Sequence, residues 1–254
     1  MGEAIIFGLI ASSALIIGGA IGSYVRVPKT ISGVLLAFAS GSLIAALCFE
    51  LFPDAFELGG ATRAGLGLLA GGATFVLFNT WLDSRVAGDP SKHQSEKMGD
   101  MADDDRSAGG KGSAVGFALL AAVTLDGIPE NLALGVSLVG EGGSLTLLVA
   151  IFFSNLPESL VGAQAMTGQG KSPTFAIAIW SICGLILAIA VVLGRAALSG
   201  ASDNTLAICL AFAGGAVLAS LADTLMPEAF EHGRPWNSLA TGVGFFVSFM
   251  LAEA

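Results

Sequence analysis

Two stretches of the chain resemble each other and decide its fold. Residues 41–59 read GSLIAALCFELFPDAFELG, and residues 215–233 read GAVLASLADTLMPEAFEHG. They align without a gap at a constant separation of 174 residues, and most of their shared residues surround one proline. Repeats inside an apolar chain are a feature of many secondary transporters. The pair therefore predicts an internal repeat of membrane helices.

The composition extends this prediction to the whole chain. Of the 254 residues, 54% are hydrophobic and 12% are charged, which is about half the charged share of a soluble domain. A span needs ~20 apolar residues to cross ~30 Å of hydrocarbon, and barrel strands would alternate apolar and polar residues instead. We therefore expect an all-α polytopic membrane protein with eight transmembrane helices. The eight runs are residues 4–25, 31–49, 64–82, 112–140, 142–169, 172–194, 204–226 and 235–252.

Basic residues predict the orientation of the spans, because cytoplasmic loops carry an excess of Lys and Arg. Of the 11 Lys and Arg residues, all but Arg63 and Arg195 fall on one side of an eight-span arrangement. This places both termini outside and the polar loop of residues 83–111 in the cytoplasm, within one transmembrane domain of residues 1–254. The two repeated stretches lie in spans two and seven, so they cross the bilayer in opposite directions, as an inverted repeat.

Spans four and five each carry a polar sextet near their middle. The sextets read DGIPEN (126–131) and SNLPES (154–159). Asp126 and Glu130 are four residues apart and share a helix face, as do Ser154 and Glu158. Each proline also frees the backbone carbonyl four residues before it, and Asn155 adds an amide. The spacing therefore predicts a group of oxygen ligands between the two spans.

The energetic cost of these acids indicates a function. Each carboxylate in the middle of a bilayer costs roughly 2.5–3.5 kcal/mol on insertion scales, and neighbouring carboxylates repel unless protons or a cation neutralise them. A divalent cation does so directly, so the sextets predict a metal site. Three alternatives stay open: protonated carboxyls that join helices, a proton-coupled carrier of another solute, and an intramembrane hydrolase with an acid–base pair. The predicted ligands are Asp126, Glu130, Ser154, Asn155 and Glu158.

Four further polar residues are candidates for the transport pathway. Glu50 and Asp54 share a face near the predicted outer end of span two, where they form either an entrance funnel or a wetted helix end. Asp223 in span seven either lines the pathway or pairs with a neighbouring helix. His232 lies at a predicted inner helix end and is either an exit ligand or a surface residue.

The paired sextets resemble the metal motifs on spans four and five of the ZIP (Zrt-, Irt-like protein) divalent metal transporters. Those motifs read roughly His-Asn-x-Pro-Glu-Gly and His/Gln-Asn/Asp-x-Pro-Glu. Residues 50–55, ELFPDA, are similar to the family's His-Leu-Leu-Pro-Glu-Ala signature. The resemblance covers nearly the whole chain and implies eight spans in a 3+2+3 inverted repeat. It also implies a transporter rather than an enzyme, with the metal as substrate and no tightly bound cofactor.

The chain departs from the family motifs at several ligand positions. Asp126 replaces a histidine, Gly127 an asparagine and Asn131 a glycine, and Ser154 stands where histidine or glutamine is usual. The resemblance implies a binuclear site in some members, and the missing side chain at Gly127 argues against a second metal. The resemblance favours Zn²⁺, whereas the carboxylate-rich ligand set favours Mn²⁺, Fe²⁺ or Mg²⁺. Cd²⁺ stays open as a further substrate.

The remaining expectations concern partners and location. A net charge of -9 argues against a nucleic-acid partner, which would want a basic face. The lipid bilayer is the expected partner, in a bacterial inner or plasma membrane, and a homodimer is compatible with the sequence. The three cysteines, Cys48, Cys183 and Cys209, lie in apolar runs and are expected to be buried thiols.

Overall fold

The computed structural model describes residues 1–82, 124, 127–139, 145–168 and 170–253. The described residues are almost entirely helical, and none of them lies in a strand. The predicted cytoplasmic loop of residues 83–111 lies outside these ranges. In chain order the helices are α1 (Gly2–Tyr24), α2 (Lys29–Ala46), α3 (Phe52–Leu82), α4 (127–137), α5 (Leu145–Gly168), α6 (Pro173–Leu198), α7 (Asp203–Ser220), α8 (Met226–Gly233) and α9 (Asn237–Ala252).

The apolar character of the helices confirms an all-α polytopic membrane protein. Among the described residues, five helical stretches are long and apolar enough to cross a membrane, and α9 is a shorter apolar helix. Large apolar side chains cover the outside of the molecule, for example Leu69 and Leu77, as expected of a surface that faces lipid. The count of eight spans stays a prediction, because much of the predicted fourth span lies outside the described ranges. The five stretches are Gly2–Tyr24, Lys29–Trp81, Leu145–Gly168, Pro173–Leu198 and Asp203–Gly233.

The longest of these stretches, Lys29–Trp81, is interrupted at Gly60. Its 53 residues would span about 80 Å as one straight helix, far more than a bilayer. Gly60 has φ 72° and ψ 171°, a conformation that glycine adopts without steric cost. The interruption divides the stretch where the sequence divides spans two and three.

The sequence repeat is also a repeat of secondary structure. Helix α2 begins at Lys29 and α7 begins at Asp203, which are 174 residues apart. Helix α1 ends at Tyr24 and α6 ends at Leu198, at the same separation. The separation found in the sequence therefore relates helix boundaries well outside the stretches that revealed it.

Each repeat also contains one turn of π-helix just before its proline. Leu47–Leu51 joins α2 to α3, and Leu221–Leu225 joins α7 to α8. Pro53 and Pro227 follow within two residues, and each lacks the N–H that would bond the carbonyl four residues earlier. A π-turn is wider than an α-turn and is often found at functional sites. The extra residue makes room for the proline ring and changes the direction of the side chains around it.

The helices associate in two bundles. In the first bundle, α1 packs on α5 and α6, and α4 lies against α6, where a Cβ at Gly135 would overlap the Val191 carbonyl. In the second bundle, α2 packs on α8 and α9, and α3 packs on α7. Among the helix pairs described, α2 and α5 form an extended contact between the two bundles. Any relative motion of the bundles therefore changes the α2–α5 contact.

Glycines at spacing four let helices within each bundle approach closely. Gly18 and Gly22 of α1 lie against carbonyl oxygens of α5, and Gly67 and Gly71 of α3 lie against carbonyl oxygens of α7. A Cβ at any of the four would be too close to that backbone. Small residues at such contacts are a usual means of packing membrane helices.

The prediction that all three cysteines are buried is wrong for Cys48. Cys183 is buried and Cys209 is partly exposed, but Cys48 is exposed. An apolar run in a membrane helix has a side that faces lipid as well as a side that faces protein. Apolar sequence around a cysteine therefore does not imply burial within the bundle.

Candidate metal centre

The two polar sextets meet where α4 packs beside α5. The Ser154 hydroxyl lies 3.3 Å from Glu130 Oε2 and 3.0 Å from the Ile151 carbonyl oxygen, and its single proton can be donated to either acceptor. Both side chains are enclosed, with Glu130 4% exposed and Ser154 1% exposed. The structure thus brings together two of the five predicted ligands, one from each sextet, inside the first bundle.

Asn155, a third predicted ligand, uses its amide to hold α1. Its Nδ2 donates to the Ala11 carbonyl at 3.4 Å. One turn later the Ser159 hydroxyl lies 3.4 Å from the Ala14 carbonyl oxygen and 2.8 Å from the Asn155 carbonyl oxygen, either of which can accept its proton. These bonds fix the face of α5 that meets α1, so the Asn155 side chain has a structural contact apart from Glu130.

Glu158, a fourth predicted ligand, lies near a buried thiol of α6. It is partly buried, and Cys183 interacts with it electrostatically. The Cys183 sulfur also lies 3.8 Å from the Thr124 hydroxyl. The sequence predicted that Cys183 is buried but did not place it near Glu158, because the two residues lie on different spans. The available signal was a single cysteine in an otherwise uncharged span.

Asn131, which sequence reasoning treated only as a departure from the family pattern, has a buried oxygen next to Glu130. Its Nδ2 donates to the Gly127 carbonyl at 2.9 Å. Its Oδ1 is buried and has no hydrogen-bond partner among the described residues. A buried oxygen without a partner is costly. Asn131 Oδ1 is therefore an available acceptor on the residue next to Glu130, which forms the contact between the two sextets with Ser154.

The described residues supply an oxygen-rich lining rather than a complete metal cage. No three His, Cys, Asp or Glu side chains among them lie close enough to hold a metal ion. Asp126, the fifth predicted ligand, lies outside the described residues. Pro157 lies inside α5, so the Phe153 carbonyl lacks its usual helical donor. This carbonyl is therefore an available backbone acceptor in the same part of α5 as Ser154.

Glu50 joins the two bundles at one end of α2. Its carboxyl receives hydrogen bonds from the Thr146 hydroxyl and the Leu147 backbone N–H at the start of α5. Its Oε2 is buried without a hydrogen-bond partner among the described residues. Asp54 is exposed and interacts electrostatically with Glu50 and Glu57. The acids therefore share one face, and only Glu50 reaches into the bundle contact.

Asp223 pairs with a neighbouring helix. The Asn79 amide of α3 donates to Asp223 Oδ2 at 2.6 Å, and Asp223 is exposed. Of the two interpretations given for this residue, the contact agrees with pairing and not with lining a cavity.

His232 lines a cavity of about 260 Å³ between α2, α5 and α8. It is partly buried, and its Nδ1 is enclosed without a hydrogen-bond partner among the described residues. Glu228 is buried in the same wall. Both residues are therefore part of an internal lining and do not lie on the open surface. The cavity is lined by Val27, Lys29, Ser32, Gly33, Leu36, Val161, Gln164, Ala165, Glu228 and His232.

The helix ends group as the predicted topology requires. The cavity gathers the start of α2 and the ends of α5 and α8, which the sequence assigns to the inner side. At the opposite end, Arg195 and Glu3 form an ion pair at 3.0 Å, and Glu50 meets Thr146. All four of these residues belong to the predicted outer side. The structure thus separates the two sets, while the side that each set faces stays a prediction from the basic residues.

Comparison with known proteins adds an independent observation. A family model described as ZIP Zinc transporter matches residues 83–252 of the chain. The matched region is more than half of the chain and includes both sextets and the whole second repeat. No curated protein matches the chain.

Proposed function

Because the chain belongs to the ZIP zinc transporter family, we propose that it carries a divalent metal, most readily zinc, through a site between α4 and α5. Membership implies divalent metal transport, and the protein is a transporter rather than an enzyme. The single observation that carries the location is the enclosed contact between Ser154 and Glu130. It joins two polar sextets at a depth where isolated carboxylates are costly.

The ligand set combines predicted and newly found groups. Glu130 and Glu158 supply the charge that neutralises the cation, and Asp126 completes the carboxylates. Ser154 supplies a hydroxyl oxygen, and Asn131 Oδ1 offers an amide oxygen that otherwise has no partner among the described residues. Asn155 supports the site by fixing α1 against α5.

Zinc is favoured over harder ions by family membership, and the thiol of Cys183 is a candidate contributor to this preference. Zn²⁺ and Cd²⁺ accept sulfur as well as oxygen, whereas Mg²⁺ and Mn²⁺ prefer oxygen ligands. Cys183 lies close enough to Glu158 for an electrostatic interaction. A site with carboxylates on two helices and a thiol on a third suits a borderline metal.

The two bundles suggest how the site is exposed to each side in turn. We place the protein in the membrane as eight spans in an inverted repeat with both termini outside. The bundles share an extended contact along α2 and α5. A cavity opens at one end of this contact and Glu50 closes the other. Relative movement of the bundles would close the cavity at one end and open the contact at Glu50 at the other.

A homodimer stays a separate prediction.

The central test is metal uptake by proteoliposomes. Glu130→Ala and Glu158→Ala are each expected to abolish saturable Zn²⁺ uptake, because the remaining groups leave the cation without sufficient charge. Glu253→Ala changes an exposed acid near the end of α9 and should keep the parental rate. Uptake at the parental rate in both site variants would rule out the proposed site. Proton movement without metal would favour the proton-coupled alternative.

Selectivity provides a second test that uses Cys183. Cys183→Ser replaces a soft ligand with a hard one of similar size, so the preference for Cd²⁺ over Mn²⁺ should fall by about tenfold. Cys48→Ser makes the same change on the exposed surface and should leave the preference unchanged. Competitive binding of the two metals to purified protein measures the ratio. Equal ratios in the parent and in Cys183→Ser would exclude the thiol from the site.

A further inference from the structure

The α2–α5 contact has two unlike ends. Near Lys29 and Gln164 it opens into the cavity of about 260 Å³. About 20 residues further along α2, or roughly 30 Å at the rise of an α-helix, Glu50 meets Thr146 and Leu147. We call this second meeting point the closing contact.

Apolar packing continues from the closing contact into the bundle. Leu43 and Leu47 of the α2 side and Leu147 and Ile151 of α5 belong to one buried cluster. Each of the four is almost inaccessible. An ion cannot pass this cluster while it is packed, because the cluster offers no ligand to replace water. The end of the interface at Glu50 is therefore closed by a polar contact above an apolar layer.

The chemistry of Glu50 makes the closing contact suited to release by a cation. Bonds from a hydroxyl and a backbone N–H to a carboxylate are charge-assisted and hold the helix ends together. Glu50 Oε2 is buried and has no hydrogen-bond partner among the described residues. A cation that binds this oxygen compensates its burial and competes with both donors for the carboxylate.

The position of Glu50 depends on the π-turn. Leu47–Leu51 is the one turn of this region that departs from α-helical spacing, and Glu50 is its fourth residue. The wider turn directs the carboxylate toward the first turn of α5, where backbone N–H groups have no helical partner. Thr146 and Leu147 lie in that first turn.

We propose that the closing contact is a gate that the transported cation opens. Glu50 bound to Thr146 and Leu147 keeps this end of the α2–α5 interface shut. A divalent cation at Oε2 releases the two donors and allows the apolar layer below to separate. The identity of the cation rests on the proposed function, whereas the gate itself rests on the contact.

Cysteine accessibility tests the gate directly. In a chain with Cys48, Cys183 and Cys209 replaced by alanine, Ile151→Cys reports on the apolar layer and Val161→Cys reports on the cavity. A membrane-impermeant thiol reagent is applied to proteoliposomes of known orientation. Thr146→Val or Glu50→Ala should raise the labelling rate at Ile151→Cys by about tenfold, the loss of one or two charge-assisted bonds. Labelling at Val161→Cys should fall.

A matched control separates the gate from a general loosening of α5. Thr167→Val makes the same change at the other end of α5, where the hydroxyl bonds only carbonyls of its own helix. It should leave the labelling of Ile151→Cys unchanged. An equal rise in this control, or no rise in either gate variant, would overturn the proposal. Thr146→Val keeps the inference testable if Glu50→Ala does not fold.

The cation step has its own measurement. Zn²⁺ alone should raise the labelling of Ile151→Cys when Glu50 is present and should have no effect in Glu50→Gln. A response that persists in Glu50→Gln would exclude Glu50 as the cation's point of action. Zn²⁺ uptake by the unmodified chain is measured in parallel. Normal uptake with unchanged labelling contradicts the gate alone, and absent uptake with raised labelling contradicts the proposed function alone.

Discussion

The two repeats have the same helical boundaries but direct their acids to different places. Glu50 is the fourth residue of the π-turn Leu47–Leu51 and reaches α5 in the other bundle. Asp223 is the third residue of Leu221–Leu225 and binds Asn79 of α3 within its own bundle. Successive helical residues point about 100° apart. A shift of one position is therefore enough to move an acid from the bundle contact to the exposed surface.

The position that holds Asp223 in the second repeat holds Phe49 in the first. Phe49 packs edge-on against Phe245 and Phe249 of α9, with ring centroids 5.8 Å and 4.9 Å apart. One repeat thus uses this position for aromatic packing and the other uses it for a polar pair. The duplicated backbone supplies the shape, and the placement of single side chains decides which copy carries the chemistry.

The largest expected effect tests what the repeats share. A Cβ at Gly41 would overlap the Thr241 carbonyl, and a Cβ at Gly215 would overlap the Leu68 carbonyl. Gly41→Ala and Gly215→Ala should each destabilise the protein by about 3 kcal/mol, since overpacking against backbone is relieved only by moving a helix. Thermal unfolding in detergent measures the loss. Gly242→Ala, in open space, is the control and should be neutral or slightly stabilising. If only one of the two variants lost stability, the two repeats would not pack equivalently at this position.

A smaller effect is expected from the aromatic packing that the first repeat has at Phe49, where the second repeat has Asp223. Phe49→Leu keeps the apolar volume but removes both edge-on ring contacts, so the free energy of unfolding should fall by about 1–2 kcal/mol. The same unfolding assay applies. The double variant Phe49→Leu with Phe249→Leu should cost less than the sum of the single changes. Additive losses would show that the rings do not act as one group.

The polar pair of the second repeat, Asn79 with Asp223, should contribute still less to stability. Asn79→Ala and Asp223→Asn are each expected to change stability by under ~1 kcal/mol, because exposed polar pairs contribute little. Zn²⁺ uptake should stay at the parental rate, since Asp223 does not reach the α2–α5 contact. A strong loss of uptake in Asp223→Asn, with normal stability, would place this acid on the pathway and contradict the contrast with Glu50.

The smallest expected effect comes from a hydrogen bond that occurs in one repeat only. Ser42 of α2 and Ser248 of α9 are bonded and buried. Ala216 occupies the position equivalent to Ser42, and Thr74, equivalent to Ser248, bonds its own helix. Ser42→Ala should cost about 0.6 kcal/mol, the mean for such bonds in membranes. A double-mutant cycle with Ser248→Ala measures the coupling, and a zero coupling energy would remove this difference between the repeats.

Much of the fold could be predicted because the length of the apolar runs and the internal repeat are both visible in the amino-acid sequence. The separation of 174 residues, found around one proline, also relates the starts of α2 and α7. The π-turns could not be predicted, since an extra residue in one turn leaves the apolar pattern unchanged. For this reason the sequence placed Glu50 and Asp54 together but did not separate the residue that reaches α5 from the one that stays exposed.

The candidate site was predictable only as far as helix spacing allows. Four-residue spacing put Ser154 on a face with Glu158 and led to the sextet contact with Glu130. The approach of Cys183 depends on how α6 packs against α4 and α5, which no local pattern encodes. Likewise, the direction of the Asn155 amide toward α1 follows from packing between distant segments.

The connection between α1 and α2 is a short tie between the two bundles. Gln164 of α5 accepts from the Val27 N–H at 3.2 Å and donates to the Val27 carbonyl at 2.9 Å, which ties the connection to the first bundle. Only Pro28 then separates this tie from Lys29, where α2 begins. Two steps of ~3.8 Å keep the start of α2 within about 7 Å of the tie while both bonds hold. The hydrocarbon layer is ~30 Å thick. The tie is short beside that thickness, so at this end of the molecule the two bundles can separate by only a fraction of the bilayer depth while both bonds hold.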